Sequence, residues 1–374
     1  MQKQEFKSKS EEVHSRIAEL EAELSKTKYN KRTQHHIGLV KAKIAQLKER
    51  QQKHAAGKGK TEGFTVKKSG DASVILVGFP SVGKSTLLNK ITNAKSAVAQ
   101  YAFTTLTCIP GTMNYEGAKI QILDVPGVIE GAASGRGRGR EVLAVTSSSD
   151  LVIILVDIFT YRSLDKIAKE IYDANIRINQ RKPDVTIKKA AHGGIKIGTT
   201  VSLSYLDNKT IADMLKEFRI MNADVLIRDD ITPDQLIDAV EGNKKYLPGI
   251  TVVNKIDMAS DEEMGEINRF LHPDIMISAE QNINLEELKR LIFAKLGFMR
   301  VYCKEVGRKA DLEEPLIVFK GCTLEGMCNR LHRDFVTKFK FARIWGKSAK
   351  FGGQIIRRLD HMLQEGDIAE LHMK

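Results

Sequence analysis

Gly78-Phe79-Pro80-Ser81-Val82-Gly83-Lys84-Ser85 sets two glycines, a lysine and a hydroxyl at the spacing that cradles a polyphosphate. Glycines let main-chain N–H groups close around phosphate oxygens, and a helix starting there adds a favourable dipole. Lys84 can reach the β- and γ-phosphates, and the Ser85 hydroxyl can bind Mg²⁺. Phe79, Pro80, Ser81, Val82, Gly83 and Thr86 complete the candidate nucleotide-binding segment. An apolar run at 74–77 and a helix-like segment at 85–91 supply the strand, loop and helix that such a motif requires. The motif indicates a nucleoside triphosphate but leaves the base open.

Asn254-Lys255-Ile256-Asp257 follows a second apolar run, 250–253. A carboxylate at Asp257 can accept hydrogen bonds from the N1–H and the exocyclic amine of guanine. Adenine offers neither donor, so it would leave that carboxylate unpaired, a discrimination worth orders of magnitude. Ser278-Ala279-Glu280, after 275–277, fits a third base-contacting loop. Asp124-Val125-Pro126-Gly127 closes the run 120–123, where Asp124 would hold Mg²⁺ through water and the Gly127 N–H would meet the γ-phosphate. Segment 101–107 supplies hydroxyls for a loop that orders on triphosphate; Thr105 is the candidate Mg²⁺ sensor, with Thr104 as its alternative. The candidate catalytic set is therefore Lys84, Thr105 and Gly127, and the metal set Ser85, Thr105 and Asp124. Four such elements, in order, at the ends of apolar strands indicate a GTPase.

Hydrolysis would be in-line attack of water on the γ-phosphorus. A water-orienting glutamine often follows the aspartate-to-glycine motif, but Val128 and Ile129 stand here and cannot do that work. Slow intrinsic turnover is expected. Arg136, Arg138 and Arg140, interleaved with glycines, are candidates for an arginine finger in cis.

These residues need a frame. The 374 residues suffice for two or three domains with sizeable cores, and 42% hydrophobic with 28% charged residues is the balance of a soluble protein. No apolar run approaches the ~20 residues of a membrane helix, and the first residues lack an apolar signal region, so a cytoplasmic protein is expected. Cys108, Cys303, Cys322 and Cys328 lack metal-site spacing, and His35, His36 and His192 read as solvated or turn residues. Apolar stripes at Val13, Ile17, Leu20, Leu24 and at Ile37, Val40, Ile44, Leu47 predict an antiparallel helical hairpin within 1–60, followed by a flexible linker at 55–60. A G domain is expected over 64–300, with a strand at 151–157 and helices at 163–176, 232–241 and 284–296. The distance from Asp124 to Asn254 exceeds what a doubly wound core needs, which makes 177–231 a small strand-containing insertion. Residues 301–374 read as a separate unit of short strands and one amphipathic helix, with Trp345 in its core.

The net charge of +12 is concentrated at both ends: 1–60 carries 15 basic and 7 acidic residues, and 330–358 carries nine basic residues and Asp334 alone. That distribution suits a large polyanion such as a ribosome.

The loop 78–85, Phe103-Thr104-Thr105-Leu106 and Asp124-Val125-Pro126-Gly127 resemble the Obg-related GTPases. The stretches 117–121, 129–132, 137–140 and 340–346 resemble, more closely, the developmentally regulated GTP-binding proteins within that branch. The resemblance spans nearly the whole chain. It implies an α/β fold: a doubly wound P-loop G domain with an N-terminal helical hairpin, a small inserted α/β subdomain and a C-terminal β-grasp (TGS-like) domain. It also implies ribosome association and a dedicated protein partner. Some relatives hold potassium through a P-loop asparagine; Ser81 stands there, so K⁺ is a candidate cofactor lacking its usual ligand. Two further readings are a nucleotide-stabilised RNA-binding or scaffold protein with vestigial hydrolysis, and an ATPase, which Asp257 opposes.

Overall fold

The computed structural model describes residues 2–28, 30–55, 70–92, 99–100, 107–124, 146 and 148–373. The chain divides into two compact units, 1–62 with 180–246 and 63–179 with 247–374.

In the second unit a seven-stranded sheet has the order β12-β11-β5-β1-β4-β3-β2. Its central strands are β1 (Ala72–Val77), β4 (Ala118–Asp124), β5 (Leu151–Asp157), β11 (Gly249–Asn254) and β12 (Ile275–Met276), all parallel. β3 (Thr107–Tyr115) and the short β2 (Ala99–Gln100) continue the sheet antiparallel, while β6 (Ile176–Ile178) and β10 (Lys245–Leu247) stand outside it. Every residue of β1 and β5 is buried, which is why both read as unbroken apolar runs rather than alternating ones. Val74 and Leu76 face one core with Leu87 and Leu88 of α3 (Lys84–Ile91) and Leu288 and Ile292 of α8 (Leu285–Lys295). Ile75 and Val77 face the other, with Ile167 and Ile171 of α4 (Leu164–Asp173) and Ile267 of α7 (Asp261–Leu271). Helices on both faces make the sheet doubly wound. The carboxyl ends of β1, β4, β5 and β11 converge on one edge, where such sheets bind ligands.

Residues 298–373 form a five-stranded sheet, order β14-β13-β17-β15-β16, covered on one face by α9 (Leu324–Leu331). Its strands are β13 (Phe298–Lys304), β14 (Leu316–Phe319), β15 (Phe339–Trp345), β16 (Gln354–Ile356) and β17 (Asp367–Met373). A short second helix, α10 (Arg333–Thr337), follows α9 where one helix was expected. Trp345 departs from its expected core position. The pleat gives the core to Ile344, fully buried, and turns Trp345 to the opposite face, half-buried, with Lys304 Nζ 4.8 Å from its ring centre. This sheet is clamped to the β3–β4 turn and to the residue before β1: Arg300, which also binds Glu365 of its own sheet unit at 2.7 Å, reaches Glu116 at 2.6 Å, Pro315 abuts Gly117, and Arg330 pairs with Asp71. A row of aromatic rings, Tyr115, Phe293, Phe298 and Phe319, continues the contact.

In the first unit α1 (Gln2–Lys26) and α2 (Gln34–Ala55) pair through Ile17, Leu20, Val40 and Ile44. The opposite side of α2, at Leu39, Ala42 and Ala45, packs on a module of α5 (Asn208–Glu217), α6 (Pro233–Glu241) and strands β7 (Val185–Lys189), β8 (Ile195–Thr199) and β9 (Ala223–Ile227). Gly38 permits this: a Cβ there would lie 2.9 Å from Thr210 Cγ2. The second apolar partner of the hairpin is thus the module that the chain inserts between β5 and β11.

Candidate functional site

The loop between β1 and α3 is held in a shape few residues tolerate. Ser81 has φ +64° and Gly83 +94°. A Cβ on Gly83 would lie 2.4 Å from Asn254 Nδ2, so glycine is required there by both conformation and space. Lys84, on the first turn of α3, folds its Nζ back onto the carbonyls of Gly78 at 3.0 Å and Phe79 at 2.8 Å. Burial pulls its ammonium below the ordinary lysine value, against the opposing pull of the Asp124 carboxylate. Of the remaining loop residues, Val82 is buried, Phe79, Gly83 and Thr86 are partly covered, and Pro80, Ser81 and Ser85 are exposed.

Ser85 Oγ donates to Asp124 Oδ2 at 2.6 Å. Asp124 closes β4 and is buried, and its Oδ1 has no hydrogen-bond partner among the described residues. An orphaned carboxylate oxygen beside a serine hydroxyl is the donor set a hydrated divalent cation requires.

Asn254 ties three segments together. Its Nδ2 donates to the Val82 carbonyl at 2.9 Å, and its Oδ1 accepts from the Ala279 N–H at 2.9 Å. Lys255, at φ +65°, places its Nζ 2.6 Å from Asp157 Oδ2, at the end of β5. Burial would raise the Asp157 carboxyl, but hydrogen bonds from Lys255 and Thr160 outweigh it and hold the group below the usual carboxylate range. Asp257, on a short 3₁₀ turn, is exposed. Ser278 is buried in a turn that exchanges hydrogen bonds with Ile283, and Glu280 is exposed with its carbonyl accepting from Lys90.

The structure thus gathers 78–86, Asp124, 254–257 and 278–280 on one edge of the sheet. Thr104, Thr105, Gly127, Val128, Ile129, Arg136, Arg138 and Arg140 lie outside the described residues. Sequence reasoning missed Asp157. Its signal was present: a carboxylate ending the apolar run 151–156, as Asp124 ends 120–123.

A doubly wound sheet with this loop, and with asparagine and aspartate at the carboxyl end of β11, defines a P-loop GTPase. The family described as a 50S ribosome-binding GTPase matches residues 73–189, the C-terminal region of the MMR_HSR1 domain matches 192–298, and the TGS domain matches 299–373. An uncharacterized GTP-binding protein of Methanocaldococcus jannaschii is 51% identical over 97% of this chain and 93% of its own length. GTP-binding protein 1 of Schizosaccharomyces pombe is 44% identical, covering 97% and 99%. Developmentally-regulated GTP-binding protein 2 of Homo sapiens is 42% identical, covering 97% and 100%. The chain belongs to the developmentally-regulated GTP-binding protein family. No helix among the described residues is long and apolar enough to cross a membrane.

Proposed function

We propose that this protein is a slow, Mg²⁺-dependent cytoplasmic GTPase switch that works on the ribosome. The observation that carries the switch is the pairing of Ser85 with Asp124, which leaves Asp124 Oδ1 unmatched at the end of β4. Ser85 and Asp124, with Thr105, would hold Mg²⁺, which would neutralise phosphate charge when bound. Lys84 exchanges its two loop carbonyls for phosphate oxygens, and the loop N–H groups and the Gly127 N–H bind the rest. Asp257 reads the guanine N1–H and amine, and Lys255, held by Asp157, lays its stem along the base. Ser278, Ala279 and Glu280 close the far side of the base. Because Val128 cannot orient water, isolated turnover is expected well below about 1 s⁻¹, the lower end for kinases. K⁺ is a further candidate cofactor.

The ribosome is supported by the family description attached to residues 73–189 and by the two basic ends of the chain. A dedicated regulatory protein is a second expected partner. Cosedimentation with ribosomal subunits in GTP, GDP and nucleotide-free states tests the reading. Association that follows the GTP state supports it, and equal pelleting in all three sinks the switch. Turnover unchanged by ribosomes would favour a nucleotide-stabilised scaffold instead.

A further inference from the structure

The turn between β15 and β16 holds a phenylalanine out in solvent amid positive charge. Phe351 is 65% exposed. The main chain of the turn is held around it: Gln354 N–H donates to the Phe351 carbonyl at 3.2 Å, Lys350 N–H to Gln354 Oε1 at 2.6 Å, and Gly353 N–H to the Ile344 carbonyl at 3.0 Å. Single exposed apolar side chains are common and by themselves indicate nothing. Phe351 differs in its surroundings from the two other phenylalanines exposed to a similar degree, Phe159 and Phe270. Phe270 rides on α7, whose first turn alone holds three carboxylates, and the cation nearest the Phe159 ring, Lys255, is already paired with Asp157. By contrast, 335–359 contains seven lysines and arginines and no carboxylate.

Some of the nearby cations are already engaged. Arg330 pairs with Asp71, Lys338 lies 3.6 Å from Asp334, and Arg358 pairs with Asp360. Lys340, Arg343, Lys347, Lys350 and Arg357 are exposed and make no ion pair among the described residues. An exposed aromatic ring on a hydrogen-bonded turn, flanked in sequence by cations that make no ion pair, has the two components of single-strand recognition: a stacking surface for a base and charges for its phosphates. An A-form duplex hides its base faces, so it could use only the charges.

We propose that Phe351 is a stacking anchor for an unpaired nucleotide of RNA, with Lys347, Lys350 and Arg357 binding the flanking phosphates. The inference rests on the ribosome reading above and adds what the basic surface selects, which is unpaired over duplex RNA.

The only tryptophan of the chain gives the test an optical signal. Gly352 and Gly353 lie against the Trp345 indole so closely that a Cβ on either would stand 3.1–3.3 Å from it. The full-length protein, loaded with GDP, is titrated with a labelled twelve-nucleotide oligouridylate and with a duplex RNA of equal length. Anisotropy gives affinity, and Trp345 emission reports on the turn. The single strand is expected to bind more tightly and to shift the emission. Phe351→Ala should weaken the single strand roughly five- to hundredfold, the range for one lost base stack, leaving duplex binding and the salt slope unchanged. Phe351→Tyr should retain binding. Wild-type affinity in Phe351→Ala overturns the stacking anchor while leaving ribosome docking intact. Equal binding of single strand and duplex by the native protein also overturns it. Failure of the native protein to bind either RNA overturns it together with ribosome docking through this face. Poly-glutamate competing at the same site in place of RNA would assign the turn to an acidic protein partner and sink the proposal.

Discussion

Asn254 Nδ2 donates to the main-chain carbonyl of Val82 at 2.9 Å, across 172 residues of sequence. The same carboxamide accepts from Ala279 N–H, so one buried side chain sets the spacing of the phosphate loop against the loop 278–280. Asn254→Ala leaves a buried carbonyl and a buried N–H without partners, at about 1–3 kcal/mol each. GTP and GDP affinities are expected to fall together by at least about tenfold, one decade being about 1.4 kcal/mol. Isothermal titration with both nucleotides checks this. Loss of GTP binding alone would mean that Asn254 does not act through loop spacing.

Ser85→Ala removes the hydroxyl partner of Asp124. A hydrogen bond to a charged group contributes about 1.5–3 kcal/mol, so the affinity gained by GTP on adding Mg²⁺ should shrink by about tenfold or more. Comparing fluorescent GTP binding in Mg²⁺ and in EDTA measures that gain directly. If the Mg²⁺ effect survives in Ser85→Ala, the cation is held elsewhere.

Asp257 is exposed on a 3₁₀ turn, open to an incoming base. Asp257→Asn should turn preference from GTP toward xanthosine triphosphate, because xanthine presents an acceptor where guanine has its amine. Competition between the two nucleotides decides the matter. A variant that still prefers GTP would remove Asp257 from base reading.

The Asp157–Lys255 pair makes a pH prediction. The folded carboxyl lies below its unfolded value, so the pair contributes stability that is fully present above the unfolded pKa, ordinarily near 3.8, and is lost as pH falls through the lower folded value. Asp157→Asn should therefore cost stability at neutral pH, and the gap from wild type should close in acid below pH ~4. Denaturant midpoints between pH 3 and 7 report the gap. A constant difference across that range would mean that lost packing, not charge, is responsible. The variant should also bind guanine nucleotides more weakly, since Lys255 loses its anchor.

Legibility in the sequence followed the range of the forces involved. β1 and β5 were plain because buried parallel strands are apolar at every position, and the phosphate loop because its glycines and lysine are contiguous. β3 was not read: Thr107–Tyr115 holds Pro110 and Gly111 and lacks any period. Gly111 is needed because a Cβ would lie 2.5 Å from Thr92, a contact no local pattern encodes. The Lys255–Asp157 pair joins residues 98 apart and was invisible for the same reason. Trp345 was misplaced because size and rarity suggest a core residue, whereas strand register, set by Ile344, decides the face. The inner stripe of the hairpin was legible, but Gly38 and Ala42 on α2 look like helix filler until α5 is packed against them.

Arg330 shows how ion pairs reorder a charge argument. By count it belongs to the basic stretch 330–358, yet its guanidinium is engaged with Asp71, which also accepts the Lys119 N–H at 2.8 Å. Its work is to hold the TGS domain against the start of β1. Arg330→Ser should cost at most ~1 kcal/mol of stability, the scale of a partly exposed pair, and leave RNA affinity unchanged. The unpaired set, Lys340, Arg343, Lys347, Lys350 and Arg357, should carry the electrostatics instead. Five phosphate contacts at roughly −0.7 each predict a log–log salt slope near −3.5 for single-stranded RNA. Replacing those five by serine should flatten the slope toward zero and weaken ribosome cosedimentation, with GTP affinity intact. Full ribosome association in that variant would move the contact to the basic hairpin within 1–60. A flattened slope in Arg330→Ser alone would show that the Asp71 pair opens to release a cation for RNA.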